Sequence, residues 1–456
     1  MRELTSPSND SRPTAVRYIV LAAMCLVAMI TYIQRNSLGV VEKEIRSQLQ
    51  FSKMQSACVF SGLFITYALF QVPGGRLGQI WGCRKALSIY GVICSASTAL
   101  FAIAGGFPGL LAARMGIGLG QAGVFPCSTD TVKTWIPVHR QALANGAITT
   151  SMQVGGILGT QLTGFLASQW GWRITLGWFA LPGLLWSAWF YIWYRNRPQE
   201  HPAVNDAERQ LLRGDRSAAK DDRLDATAAP ATTDVNGVTP PDPIPWRQIF
   251  RSSSLRWVCA QQFFRGAGYM FYGSWFATFL KEGRGVTELA QAGFMTSAPL
   301  AATALGSMAG GWLSDWLLTR TGSRQISRRW LSALSSLAGA VCIVAAYPVT
   351  QVWLAVGIIS AGAFCAAIAG PIAYTVTIDL GGKHVPTVFG LMNMCGNLGA
   401  FAFPLTVPFL VGEGENANWD PVLFLFTGIY LAAAICWTAF DANGTIEEPA
   451  AHLIED

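Results

Sequence analysis

From Tyr18 to Gln34 the chain carries no charged side chain, and stretches of this kind recur along most of its length. A helix needs about 20 predominantly apolar residues to cross the hydrocarbon of a bilayer, where the backbone must satisfy its own hydrogen bonds. Such runs, some interrupted by Gly or Pro, lie near 18–40, 56–80, 86–105, 108–133, 141–168 and 173–195. A second set lies near 255–280, 289–317, 330–348, 352–379, 385–411 and 420–440. Two sets of six predict an all-α integral membrane protein with about twelve transmembrane helices, both termini on one side.

Only 13% of the residues are charged against 52% hydrophobic, which excludes an ordinary soluble domain. The net charge of +6 could suggest nucleic acid, but the basic residues fall in short loops between apolar runs. Arg84, Lys85, Lys133, Arg140, Arg195, Arg197, Arg320, Arg324, Arg328 and Arg329 all fall on the side of the termini, whereas Glu413, Glu415 and Asp420 lie opposite. The excess of cations predicts cytoplasmic termini in a cell membrane, with a bacterial inner membrane as the expected setting. No cleavable signal peptide is evident before the first run. The expected partners are the bilayer and a small solute, with no nucleic acid, no cofactor, no metal and a monomeric carrier. The cysteines lie mostly inside apolar runs without a CxxC pair or a Cys/His cluster, so they read as small buried thiols.

The pattern divides the chain into a tail (1–17), a six-helix half (18–195), a linker (196–254), a second six-helix half (255–440) and a second tail (441–456). The linker is rich in Ala, Asp, Thr and Pro and reads as unable to bury a core, with PWRQIF (245–250) as a short interfacial helix. The halves repeat one another. GGRLGQIWG (74–82) recurs as GGWLSDWLL (310–318), and MQVGGILG (152–159) recurs as MNMCGNLG (392–399). Matches in the same order after the second helix and in the fifth helix of each half predict parallel repeats with a site between them at mid-depth.

Few ionisable residues lie within the spans, and charge there is costly enough to mark function. Arg35 ends the first run, Arg114 lies in the fourth and Arg265 in the seventh, with no acid at mid-depth to neutralise them. A guanidinium grips carboxylate or phosphate with a planar fork, so a positive lumen predicts an anionic substrate. Arg114 can equally cross-link helices within its half, and Arg265, near the start of its run, reads as interfacial. Gln153 and Asn393 occupy equivalent positions of the repeat, which favours substrate contact over a private helix–helix bond. Tyr32 lies three residues before Arg35 on the same helical face, and Tyr67 lies in the second run. No span holds a nucleophile–base or His/Asp/Glu cluster, so the chain does not read as an enzyme.

YIQRNSLG (32–39), GLFITYALFQVPGG (62–75), ARMGIGLGQAGVFP (113–126) and GLMNMCGNLG (390–399) together resemble the anion:cation symporter family of the major facilitator superfamily. That family includes bacterial D-galactonate, hexuronate and glucarate carriers and is related to sialin and the vesicular glutamate transporters. The resemblance implies the major facilitator fold, with Arg35 as the carboxylate ligand and Tyr32, Tyr67, Gln153 and Asn393 at matching substrate positions. Tyr374 aligns with an aromatic residue of the tenth-helix site, and Arg114 belongs to the fourth-helix motif. The conformational-gate motif maps to Gly75, Gln79, Gly82 and Arg84, and to Gly311 and Asp315 in the second half.

The departures concern protons. Where the family has a first-helix aspartate and a fourth-helix glutamate as proton carriers, this chain has Gln34 and Gln121, and its first gate acid is Gln79. Glutamine does not titrate. The resemblance therefore implies a secondary transporter of a small organic anion, a sugar acid such as a hexuronate or hexonate, working by alternating access without the usual proton coupling, as a uniporter or exchanger. A proton- or sodium-coupled symporter of a carboxylate or organophosphate is the alternative. A non-transporting membrane sensor is the alternative of another class, since a fold alone does not define function.

Overall fold

A computed structural model describes residues 12–50, 53–212, 244–276, 279–286, 289–411 and 418–444. Its helices form twelve spans in two halves. In the first half these are Val16–Gln48, Lys53–Trp81, Cys83–Ile103, the pair Phe107–Ala122 and Val124–Trp135, and Gln141–Trp178 followed by Ala180–Trp193. The helix Gln141–Trp178 bends at Gly171, whose φ of 75° separates the fifth span from the sixth. Only glycine adopts that conformation without strain. In the second half the spans are Ser253–Met270 continuing into wide turns at Phe271–Trp275 and Phe279–Gly283, Leu289–Thr321, Gln325–Trp330 with Leu331–Ala346, Val352–Gly381, Val385–Val411 and Asp420–Ala439.

Six stretches are long and apolar enough to cross a bilayer by composition alone, one of which, Val352–Phe403, joins the tenth and eleventh spans. The less apolar spans include those that carry Arg114, Gln153 and Arg265. Of these, Gln153 and Arg265 line a cavity between the halves, whereas Arg114 packs within the first half.

The packing has the two-fold character that the repeated motifs predict. The first span packs on the fifth as the seventh packs on the eleventh, and the second packs on the fourth as the eighth packs on the tenth. Between halves, the fifth span meets the eighth and the second meets the eleventh. Glycines of the repeated motifs set these distances. A Cβ on Gly155 would lie 2.4 Å from the Met29 carbonyl oxygen, and one on Gly399 would lie 1.9 Å from that of Phe263. Backbones approach closely where no side chain intervenes. Gly399→Ala and Gly155→Ala are therefore expected to lower stability by about 1–3 kcal/mol through overpacking. Thermal melting checks this against Gly357→Ala, where a Cβ meets nothing within 4 Å.

The linker departs from its expectation at its first described end. Arg197 to Leu212 folds back against the start of the first span. There His201 is 2% exposed, edge-on to Trp193 (4.8 Å between centroids) and Trp135 (5.8 Å). Glu208 pairs with Arg17 at 2.8 Å and accepts the Thr14 hydroxyl, tying the segment to the start of the first span. Composition averaged over 196–254 hides these few anchoring side chains; residues 213–243 lie outside the described set. Trp246–Arg251 is helical, as the PWRQIF motif predicts, with Trp246 stacked on Phe250.

Candidate functional site

A cavity of about 140 Å³ lies between the halves. It brings together Tyr32, Arg35, Tyr67, Gln153, Tyr374 and Asn393, six residues singled out in the sequence from five different spans. The Arg35 guanidinium sits among aromatic faces, 4.9 Å from the Phe64 ring centroid, 5.3 Å from Tyr32 and 5.5 Å from Tyr67. Among the described residues no carboxylate and no hydrogen-bond acceptor meets it. The rings hold the cation in place electrostatically and leave its donors for a ligand. Phe125 packs edge-on against Tyr32 at 6.1 Å and fixes that wall.

The two symmetric amides are engaged across the cavity. Tyr269 Oη donates to Gln153 Oε1 (3.1 Å), and Asn393 Nδ2 donates to Tyr67 Oη (3.0 Å). Each half's amide thus meets a tyrosine of the other half. Gln153 and Asn393 are polar link points between the halves, not private bonds within one.

Arg265 differs from its sequence reading. It lines the cavity, its Nε donates to Gln262 Oε1 (3.0 Å), and its Cζ lies 6.0 Å from the Tyr374 ring centroid. The helix begins at Ser253, so Arg265 is more than three turns and roughly 18 Å along the axis, and packing directs its side chain to the cavity, which the sequence does not show. Tyr269, one turn further on the same face, and Gln262 were missed for the same reason. Arg114, by contrast, does not line the cavity. It is 4% exposed behind the first span, where its Nη1 donates to the Arg35 carbonyl oxygen (2.8 Å) and its Cζ faces the Phe60 ring. Its geometry is that of a brace on the backbone of Arg35.

Gln34 and Gln121 also point away from the cavity. Gln34, 1% exposed, donates to Ser95 Oγ (3.2 Å) and the Phe179 carbonyl (3.0 Å), and Gln121, fully buried, donates to the Thr31 carbonyl (2.7 Å). Both amides link helices within the first half through N–H donors, a bond that a carboxylate cannot make.

The residues of the repeated glycine motifs form a second group of contacts between the halves. Asp315 accepts from the backbone N–H groups of Ala142 (3.2 Å) and Leu143 (2.7 Å), the orphan donors at the start of the fifth span. Behind it, Arg328 reaches Asp315 at 3.7 Å and Asp379 at 3.3 Å, and is 1% exposed. Arg328 is therefore a buried structural cation, not one of the loop charges with which the sequence groups it. In the symmetric place, Gln79 Nε2 donates to the Lys383 carbonyl (2.8 Å) and its Oε1 accepts from Thr387 (3.3 Å). Glycines close both contacts: a Cβ on Gly75 would lie 2.5 Å from the Pro386 carbonyl oxygen, and one on Gly311 would lie 2.5 Å from that of Ala142. Gly82 turns the chain with φ 77°, and Arg84 Nε donates to the Tyr191 carbonyl (2.6 Å). Asn145 to Thr375 (3.1 Å) and Lys133 to the Gly382 carbonyl add to the closure. A groove of about 1140 Å³ beside Gln79 and Lys133 is larger than the central cavity, but it is lined by the first half and the start of the linker, with no residue of the second half, and carries charges of both signs. Its size does not make it a route between the halves.

The Major Facilitator Superfamily model matches residues 24–404 and 287–452. A probable sulfoacetate transporter of Cupriavidus necator is 28% identical over 425 residues, covering 93% of each chain. A D-galactonate transporter of Escherichia coli is 26% identical over 443 residues, covering 94% of this chain and 97% of the relative. The transporter FucP, crystallised in the outward conformation, superposes with a TM-score of 0.64 at 13% identity, covering 93% of this chain and 97% of that one. Two six-helix repeats around a shared cavity, with glycines at close contacts between the halves, agree with that match over most of the length, and the chain belongs to the Major Facilitator Superfamily of membrane transporters.

Proposed function

We propose that this carrier moves a small organic anion through the cavity between its halves by alternating access. The observation that carries the reading is Arg35: a guanidinium held by three ring faces, without an acidic partner, in a cavity to which both halves contribute. An uncompensated cation in a membrane interior needs a counter-charge, and a carboxylate satisfies its planar fork. The relatives named for sulfoacetate and D-galactonate support the substrate class. Tyr32, Tyr67, Gln153, Asn393 and Tyr374 are the proposed hydrogen-bonding and aromatic contacts, with Arg114 bracing Arg35. The termini, the linker and the gated face are assigned to the cytoplasm from the distribution of cations.

The test is thermal stability of the purified protein against hexuronates, hexonates, aldarates, sulfoacetate, sugar phosphates, acidic amino acids and neutral sugars. A ligand at about a hundredfold its dissociation constant stabilises by roughly 2.7 kcal/mol, a visible shift in melting. Neutral sugars shifting the melt while every acid leaves it unchanged would refute the anion reading.

Transport is further proposed to run without a coupled proton. Gln34 and Gln121 replace titratable acids and are tied into helix–helix bonds. Uptake into liposomes is expected to be unchanged by an imposed pH gradient once the membrane voltage is clamped with potassium and valinomycin. Flux that rises in proportion to the gradient would show that another group carries the proton.

A further inference from the structure

We propose that the carrier is a dianion exchanger whose empty form does not recross the membrane, a proposal that rests on the anion-carrier reading above. The observation is a count of charge. Arg35 from the first half and Arg265 from the second both line the cavity, and no Asp or Glu is among its lining residues. Each side chain brings a guanidinium cation to the cavity. Among the described residues every partner they have there is neutral: ring faces for Arg35, and the Gln262 amide oxygen with the Tyr374 ring for Arg265.

Alternating access requires the cavity to close on both sides before it opens on the other. Closing it empty encloses two like charges without a counter-ion, and an uncompensated buried ion is far more costly than a lost neutral hydrogen bond. A monoanion leaves one charge over. A small molecule with two anionic groups cancels both, so the loaded carrier closes most readily. One carboxylate with a second carboxylate, a sulfonate or a phosphate ester meets that requirement.

An opposing effect is present. The Tyr269–Gln153 and Asn393–Tyr67 bonds join the halves without a ligand and satisfy the neutral polar groups of the empty site. They favour empty closure, but they leave both charges untouched. Two neutral bonds are outweighed by two uncompensated cations, so the empty carrier waits for an anion. Titratable compensation is also missing, because the positions at Gln34 and Gln121 hold amides directed elsewhere.

The experiment uses the full-length protein in proteoliposomes at clamped voltage and equal pH. Labelled sulfoacetate, galactarate and glycerol 3-phosphate serve as dianions, and labelled D-galactonate as the monoanion. Each is offered to vesicles preloaded with the same unlabelled anion or with buffer alone. For at least one dianion, uptake into preloaded vesicles is expected to exceed that into empty ones by about tenfold or more, with no comparable ratio for D-galactonate. Arg265→Gln should bring the ratio below about threefold and shift preference towards the monoanion, whereas Arg265→Lys, which keeps the charge, should hold the ratio high. Because the ratio is internal to each preparation, differences in folded yield do not affect it. Equal uptake into loaded and empty vesicles, or exchange of D-galactonate as fast as any dianion, overturns the proposal. A thermal shift by a dianion without exchange overturns it too and leaves the anion reading standing. Neither shift nor uptake with any anion overturns both.

Discussion

Arg35→Ala is expected to weaken anion binding by about a hundredfold or more and to reduce transport to background. Hydrogen bonds to charged groups contribute roughly 1.5–3 kcal/mol each, and a bidentate grip makes two of them. Losing the pair at about 3 kcal/mol is roughly a hundredfold in dissociation constant. The variant should nonetheless fold, because the guanidinium has no protein hydrogen-bond acceptor to leave orphaned among the described residues. Arg35→Lys keeps the charge and loses the fork and the broad contact with three rings, so it should bind between the two. Calorimetric titration of the best ligand from the thermal panel reads all three proteins. An alanine variant that binds within about threefold of the parent would remove Arg35 from the site and make it a structural residue.

The second large effect is expected at Asp315. Asp315→Ala removes the acceptor of two backbone N–H groups at the start of the fifth span and one of the two carboxylates beside buried Arg328. Breaking a buried ion pair outright costs about 3–5 kcal/mol. Since Asp379 still meets Arg328 at 3.3 Å, a loss of about 2–3 kcal/mol is expected here. This contact between the halves should loosen with it, and hydrogen exchange at Ala142 and Leu143 should accelerate. Gln79→Ala, at the symmetric position, removes bonds to the Lys383 carbonyl, Thr387 and the Arg76 guanidinium at a partly exposed site, with no buried ion pair behind them, and should cost about 1 kcal/mol. The two gates are therefore unequal: one is held by charge against a helix start, the other by an amide against a loop carbonyl. Comparable losses in both variants would contradict that assignment.

The amide at Gln79 also explains a departure that looks like decay in the sequence. Its Nε2 donates to the Lys383 carbonyl, which a carboxylate cannot do. The same logic applies to Gln34 and Gln121, whose donors bind Phe179 and Thr31 carbonyls. The positions at which the resemblance implies acids hold amides that bond neighbouring helices, and the proposed transport without a coupled proton rests on that chemistry.

Much of the architecture was legible because a bilayer leaves a chain few options. Apolar runs of spanning length specify helices, and the recurrence of GGRLGQIWG and MQVGGILG specifies two halves. Those motifs are written in glycine because the first and fifth spans, like the seventh and eleventh, approach to backbone contact. The convergence of Tyr32, Arg35, Tyr67, Gln153, Tyr374 and Asn393 was readable through a family resemblance and repeat symmetry, not through spacing. Residues from five spans have no local signature of their meeting.

What the sequence determined alone was the membrane class, the repeat and the positive lumen, since each follows from composition and periodicity that act locally. Tertiary structure decided which arginines the lumen contains. Arg114 and Arg265 are both lone cations in apolar helices, and only packing turns the first behind Arg35 and the second into the cavity. Burial of a few side chains likewise decided that Arg197 to Leu212 folds against the start of the first span despite its polar surroundings. Direction around a helix axis is set by neighbours distant in the chain, and a single sequence does not carry it.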